Sequence, residues 1–354
     1  MEETRFRENK KLDDTTRKNG RDTAPTELEQ RLTVSREQQT EDSSFSVAKS
    51  YLVDNFAKQA SKLRRVGQIN DSDEQMKNIK PLTVRFTEIR ESLQHSLRAE
   101  AFTELERDQL RTLYDTGIAF FNYVSTEMKL FRRFHGVQFK AGTDLSLVTA
   151  SETQQQLAQF LITRAREASD AAAKEVGEVR YLEDTIFPLL HTMAVQALGQ
   201  ERGTHLYNGT YTGVYGLAAA YLMYSDASLN SYGKSFKVFF PSPYLDALEQ
   251  TDLILLDDSN IPEKTREEIK NALELGVAKD FDAINSLSPE AKKYIYKIQL
   301  KTRYNGGTEL TEQDKKDRER FLSSRCHSKG FDKGDFVVFN YNKAREIIAA
   351  ARKE

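Results

Sequence analysis

The chain has 354 residues, 38% apolar and 30% charged, with a formal net charge of −2 at pH 7. That length exceeds what one core usually organises, the near-neutral charge argues against nucleic-acid or membrane binding by bulk attraction, and any such binding must be local. Cys326 is the only cysteine, which excludes an intrachain disulfide and a cysteine-based structural zinc site and points to a reducing compartment such as the cytoplasm.

Residues 1–44 mix acidic and basic side chains with Ser, Thr, Gln and Asn, and they carry few apolar groups. Such a stretch buries too little surface to offset its ordering entropy, so it is expected to be a disordered polar arm. The start is charged, and no run approaches the roughly 18 to 20 apolar residues of a membrane span, so neither a cleaved leader nor a transmembrane segment is expected. From Phe45 to about Tyr224 the apolar period is helical. Ala48, Leu52, Phe56, Ala60 and Leu63 mark one helix, and Phe86, Ile89, Leu93 and Leu97 mark another after an interruption at Pro81.

Leu110, Tyr114, Gly117, Phe121, Val124, Met128 and Phe131 recur at spacings of three and four, which gathers them on one helix face. This seam runs into Lys129, Arg132, Arg133, His135 and Lys140, interleaved with Phe131, Phe134 and Phe139. Cations neutralise phosphate and aromatic faces stack on bases or enter a headgroup layer, so the cluster is a candidate for binding a phosphate or a partner. Basic residues also complement the dipole at a helix C-terminus, which accounts for them with no ligand. Ser151 and Gln154 resemble a capping box, and they are expected to open a helix running through Leu157, Phe160, Leu161, Ala165, Ala168, Ala172, Val176 and Val179. Gly209, Gly213 and Gly216 share one side of a further helix, where small residues permit close packing. Helices of this length side by side form a bundle, residues 45–232.

Beyond Gly233 the texture changes to a smaller α-rich module, 233–354. Lys237–Phe240, Leu253–Leu256 and Phe336–Phe339 read as short strands. Pro262–Leu275, Pro289–Arg303, Thr311–Ser324 and Asn342–Arg352 read as helices. Gly233, Lys234 and Ser235 resemble the end of a nucleotide-binding loop, and Leu253 to Asp258 resembles a strand ending in magnesium carboxylates. Ser228, however, stands where the first glycine of that loop is required. Asp257 and Asp258 remain candidate ligands for a divalent cation, although acidic and polar residues before Pro262 are also what a helix start requires. His191 and His205 flank Glu201, and His327 follows Cys326, at spacings that enforce no convergence.

The fold expected is therefore mainly α: an elongated multi-helix bundle with a smaller α-rich C-terminal module containing little sheet. The function expected is non-enzymatic, protein–protein interaction or assembly, with a protein partner, self-association and no cofactor. Two other readings follow from the same residues. One is a two-lobed RNA-coating protein, or one that meets an acidic surface, through Lys129, Arg132, Arg133, Phe134, His135 and Lys140. The other is a magnesium-dependent enzyme acting on a phosphorylated substrate through Asp257 and Asp258.

Overall fold

The computed structural model describes residues 27–37, 43–98, 102–130, 145–167, 181–243, 246, 249–278, 283–304 and 307–351. They form a mainly α fold with a small four-stranded sheet. No helix among the described residues is long and apolar enough to cross a membrane.

The first helix, α1 (Glu27–Glu37), lies within the stretch expected to be an arm, and it is fastened by Leu28 and Leu32, both buried. Helix α2 (Ser44–Gly67) begins at an N-cap Ser43 whose hydroxyl accepts from Ser46 N at 3.2 Å. Its residues Leu52, Phe56, Ala60 and Leu63 are buried at the expected period. Helix α3 (Ser72–Ser96) runs straight through Pro81, where an interruption was expected. Proline removes one amide donor, but Ile79 and Leu82 are buried on either side of it, and that packing holds the helix together.

Helix α4 (Glu104–Glu127) opens with a full capping box between Thr103 and Glu106. Leu110, Gly117, Phe121 and Val124 of its seam are buried. A Cβ on Gly117 would stand 2.6 to 2.9 Å from three ring atoms of Phe56, so glycine there permits the close crossing of α2 and α4. Helix α5 (Leu145–Glu167) starts before the expected cap: Ser151 and Gln154 lie inside it. The Ser151 hydroxyl accepts from Gln155 Nε2 at 2.9 Å, and Gln154 Nε2 donates to the Gly209 carbonyl at 3.2 Å, so these residues pack helices rather than start one. Ala168, Ala172, Val176 and Val179 lie outside the described residues.

A π-helical turn, Leu182–Ile186, leads into α6 (Phe187–Leu198), which folds back through Gly199 onto α7 (Gln200–Ser225). Helix α7 is the hub, touching α5, α6, the C-terminal helix and the sheet. Its Gly213 faces the Gln154 side chain and its Gly216 faces Thr302, which is the close packing expected of that stripe, whereas Gly209 has open space beside it.

The sheet has the order β1 (Lys237–Phe239), β2 (Leu253–Leu256), β3 (Ile295–Arg303) and β4 (Gly334–Asn340). β1, β2 and β3 pair antiparallel, and β3 and β4 pair parallel. Helix α8 (Glu263–Ala278) follows β2, and α10 (Glu312–Phe321) with a π turn at Leu322–Cys326 carries the crossover from β3 to β4. The helix expected over Pro289–Arg303 is instead one short turn, α9 (Pro289–Lys292), and then β3. Ile295, Tyr296 and Ile298 are β-branched or aromatic and suit a pleated strand. Helix α11 (Tyr341–Ala351) ends the described chain.

Two apolar cores meet the sheet from opposite sides. Leu253 and Leu255 of β2, with Tyr296 and Ile298 of β3, join the helical core, whereas Ile254, Leu256 and Ile295 join a second core with Ile269, Leu273, Phe321 and Phe331. Strand alternation explains why four consecutive apolar residues in β2 are all needed. The helical core thus crosses residue 233, where the texture of the sequence changes.

Candidate functional site

Among the residues expected to bind, Lys129 is described. It ends α4 in the left-handed region with φ 62° and is exposed, with its amide donating to Thr126 O at 2.8 Å. Arg132, Arg133, Phe134, His135 and Lys140, with Phe131 and Phe139, lie outside the described residues.

Asp257 and Asp258 follow β2. Asp257 makes an ion pair with Lys234 and accepts from the Ser259 hydroxyl, while Asp258 pairs with Lys237 at 2.8 Å. The two halves of the loop-like pattern, Lys234 and Asp257, are therefore in contact, but as one ion pair in which Lys234 also sits 5.1 Å over the Phe236 ring. Among the described residues no group of three or more His, Cys, Asp or Glu could hold a metal ion. His191 meets Thr204 Oγ1 at 3.3 Å, His205 and Glu201 are exposed, and Cys326 is buried while His327 is exposed. Burial pushes the Cys326 thiol up to about 11, which leaves it protonated and unreactive at neutral pH.

A cleft of about 730 Å³ lies between α3, α4 and α5, and its residues come from helix phase alone. Arg90, Leu93, Gln94, Leu97 and Arg98 occupy one face of α3 and its last turn; Arg111, Tyr114, Asp115, Ile118 and Ala119 occupy one face of α4; Glu152 and Gln156 are one turn apart on α5. The apolar members continue the core, and the polar members border it.

The charges in this cleft are unevenly satisfied. Arg111 pairs with Asp108 at 3.4 Å, and Asp115 lies in the field of Arg90 and Arg111. Arg90 and Arg98 form no ion pair with any described carboxylate, and Glu152 has neither a hydrogen bond nor an ion pair among the described residues. Burial raises the Glu152 carboxyl above its usual range, as expected for an acid with no cation beside it. Tyr114 is pushed up to about 12 by burial, and its hydroxyl donates to Phe86 O at 3.2 Å, so it supports the floor and carries no charge.

The interior holds two further ionisable centres. Lys297 on β3 is fully buried, with Nζ donating to Asn285 Oδ1 at 2.8 Å and to Arg325 O at 3.1 Å, Glu249 Oε2 at 3.7 Å, and the Phe331 ring centre at 4.4 Å. Asp252 accepts from Leu300 N at 2.7 Å, and Asp246 bonds to Ser151, which ties α5 to the sheet. Both centres consist of internal contacts and border neither the cleft nor any bound group.

Arg90, Arg98, Arg111, Asp115, Glu152 and Gln156 were not singled out from the sequence. The signal that could have found them is their phase. Arg90 and Arg98 stand one residue after Ile89 and Leu97 of the α3 seam, at the border where an apolar stripe meets solvent. No protein-family model, curated protein or solved structure matches the chain.

Proposed function

We propose that the protein is a non-catalytic docking or assembly protein whose helical body captures a protein partner at the cleft between α3, α4 and α5. The observation that carries this reading is the pair Arg90 and Arg98, two exposed cations that make no close ion pair on the wall of a cleft of about 730 Å³. Arg85 pairs with Glu27 and Glu88, Arg164 with Asp108, and Arg303 with Asp314, so what sets Arg90 and Arg98 apart is their place on the wall of the cleft. An anionic side chain or terminal carboxylate of a partner would complete Arg90 and Arg98 with charge-assisted bonds. A peptide can seat one carboxylate on Arg90 and Arg98 and turn the rest of its chain away from Asp115 and Glu152, whereas a nucleic-acid backbone carries a charge at every residue, which favours a protein partner over RNA.

The test is fluorescence anisotropy with a labelled glutamate-rich peptide, a neutral peptide of equal length and an oligouridylate, using the full chain and its Arg90→Glu/Arg98→Glu variant. The acidic peptide should bind the parent, and the variant should lose about tenfold or more in affinity, equivalent to about 1.4 kcal/mol, with little change in melting temperature. Equal binding of acidic and neutral peptides would overturn the reading. Salt-sensitive binding of oligouridylate alone would transfer it to the RNA-coating class.

A further inference from the structure

The cleft has two chemically opposite walls. On the α3 side Arg90 and Arg98 present donors and positive charge and make no close ion pair with a described carboxylate. On the α5 side Glu152 makes no ion pair, and Gln156, one turn further, keeps a buried amide oxygen with no hydrogen-bond donor. This second wall is rich in acceptors and short of donors. Between them the charges are largely balanced, because Arg111 is held by Asp108 and Asp115 lies in the field of Arg90 and Arg111.

The charges left over therefore sit at two ends. A wholly anionic ligand would satisfy the arginines and set a like charge against Glu152. A wholly cationic ligand would satisfy Glu152 and repel Arg90 and Arg98. Only a ligand bearing both signs meets the exposed Arg90 and Arg98 and the half-buried Glu152 without setting a like charge beside either wall. Burial already pushes the Glu152 carboxyl toward its neutral form, so a cation placed beside it restores the charged form and gains from doing so. The space, about 730 Å³, lies within the range of roughly 300 to 1,000 Å³ typical of compact ligand sites and exceeds what a single ion fills.

Resting on the docking reading above, we infer that the cleft takes a bipolar peptide segment, with a carboxylate seated on Arg90 and Arg98 and an ammonium or guanidinium seated on Glu152 and Gln156. The α5 wall sets the specificity, because it distinguishes a mixed-charge segment from an acidic one.

Three labelled peptides of equal length test this on the full chain: glutamate at both ends, lysine at both ends, and glutamate at one end with lysine at the other. The mixed peptide should bind about tenfold more tightly than the acidic one. Glu152→Gln should remove that advantage and leave the acidic peptide at least as well bound. Gln156→Glu, which adds a charge to the same wall and needs no side chain removed, should tighten the mixed peptide and weaken the acidic one. Arg90→Ala/Arg98→Ala should weaken both. If the mixed and acidic peptides bind alike, or the preference survives Glu152→Gln, the bipolar inference is overturned while an arginine-dependent acidic peptide keeps the docking reading standing. If no peptide binds, both fall together.

Discussion

Replacing Lys297 by Met keeps the length of the side chain and removes its charge. Lys297 is completely buried, and Glu249 at 3.7 Å has a side chain only 9% exposed. Met leaves the Glu249 carboxylate without its cation, and it leaves Asn285 Oδ1 and the Arg325 carbonyl without the donor that reached them at 2.8 and 3.1 Å. Against this, burial lowers the Lys297 ammonium from 10.5 to about 8, so the charged form at pH 7 carries a penalty of about 3 kcal/mol that Met relieves. Breaking one half of a buried pair costs about 3 to 5 kcal/mol on balance, whereas neutralising both halves is often close to neutral. Lys297→Met should therefore destabilise the protein by about 3 kcal/mol, and Glu249→Gln/Lys297→Met should recover most of the loss.

Urea unfolding followed by far-ultraviolet circular dichroism measures this directly. A pH series adds an independent check with a definite sign. A lysine with a lowered pKa in the folded state binds fewer protons there than in the unfolded chain between about pH 8 and 10.5. The penalty of the buried charge is full below that window, and stability should rise as pH climbs through it. The slope is read as the difference between parent and Lys297→Met, which reduces the opposing contribution of Cys326, whose thiol is pushed up to about 11. A single variant as stable as the parent, or a double variant no better than the single, would refute the account of Lys297 as a charge held by its partners.

Gly117→Ala brings a methyl to 2.6 to 2.9 Å from the Phe56 ring and should cost about 1 to 3 kcal/mol by overpacking. Gly209→Ala, in the same class of helical position with nothing within 4 Å, should stabilise by about 0.5 to 1 kcal/mol, and thermal melts of the two variants check the contrast. Lys129→Gly, at φ 62°, should gain roughly 1 kcal/mol in the same melts, because glycine adopts the left-handed region without the steric cost that lysine bears. Asp246 is pushed up to about 7 by burial, and Asp252 is raised also by burial and by Asp246. The folded state then holds protons that the unfolded chain has released, so stability should fall as pH rises from about 4 to 7. Asp246→Asn should flatten that fall in chemical denaturation across the same range; an unchanged slope would contradict the assignment.

Helical periodicity was legible because it repeats over many turns: Leu52, Phe56, Ala60 and Leu63 of α2 and Leu110, Gly117, Phe121 and Val124 of α4 are buried as their spacing requires. Local signals misled where tertiary contacts decide. Pro81 marks an interruption by its own chemistry, yet Ile79 and Leu82 pack on both sides and the helix continues. Ser151 and Gln154 have the identities of a cap, but their hydrogen bonds go to Gln155 and to Gly209 on another helix, a partner 55 residues away that no local window contains. β3 reads as helix when Pro289–Arg303 is taken as one segment opened by a proline, although Tyr296, Ile298 and Leu300 alternate with Lys297, Gln299 and Lys301 as a strand requires. The cleft was hidden for a different reason. Arg90, Arg111 and Glu152 are ordinary border residues on three separate helices, and only the packing of α3, α4 and α5 makes them neighbours.

Satisfied charge in this fold gathers where elements join. Around the sheet many ionic side chains are paired: Lys234 meets Asp257, Lys237 meets Asp258, Lys297 meets Glu249, and Lys301 and Arg303 converge on Asp314. Asp314 is fully buried and also accepts from Thr311 N at 2.8 Å and from the Thr311 hydroxyl at 2.6 Å, so its charge is committed to holding α10 against β3. Such groups have no free valence to offer a ligand, and opening them costs the fold. Arg90, Arg98 and Glu152 differ in that each lines open space and none makes a close ion pair among the described residues, Arg90 having only the field of Asp115. On the proposed docking reading, a partner that supplies those charges would gain electrostatic energy without breaking a native contact, and recognition would fall on the helical body with the sheet as its support.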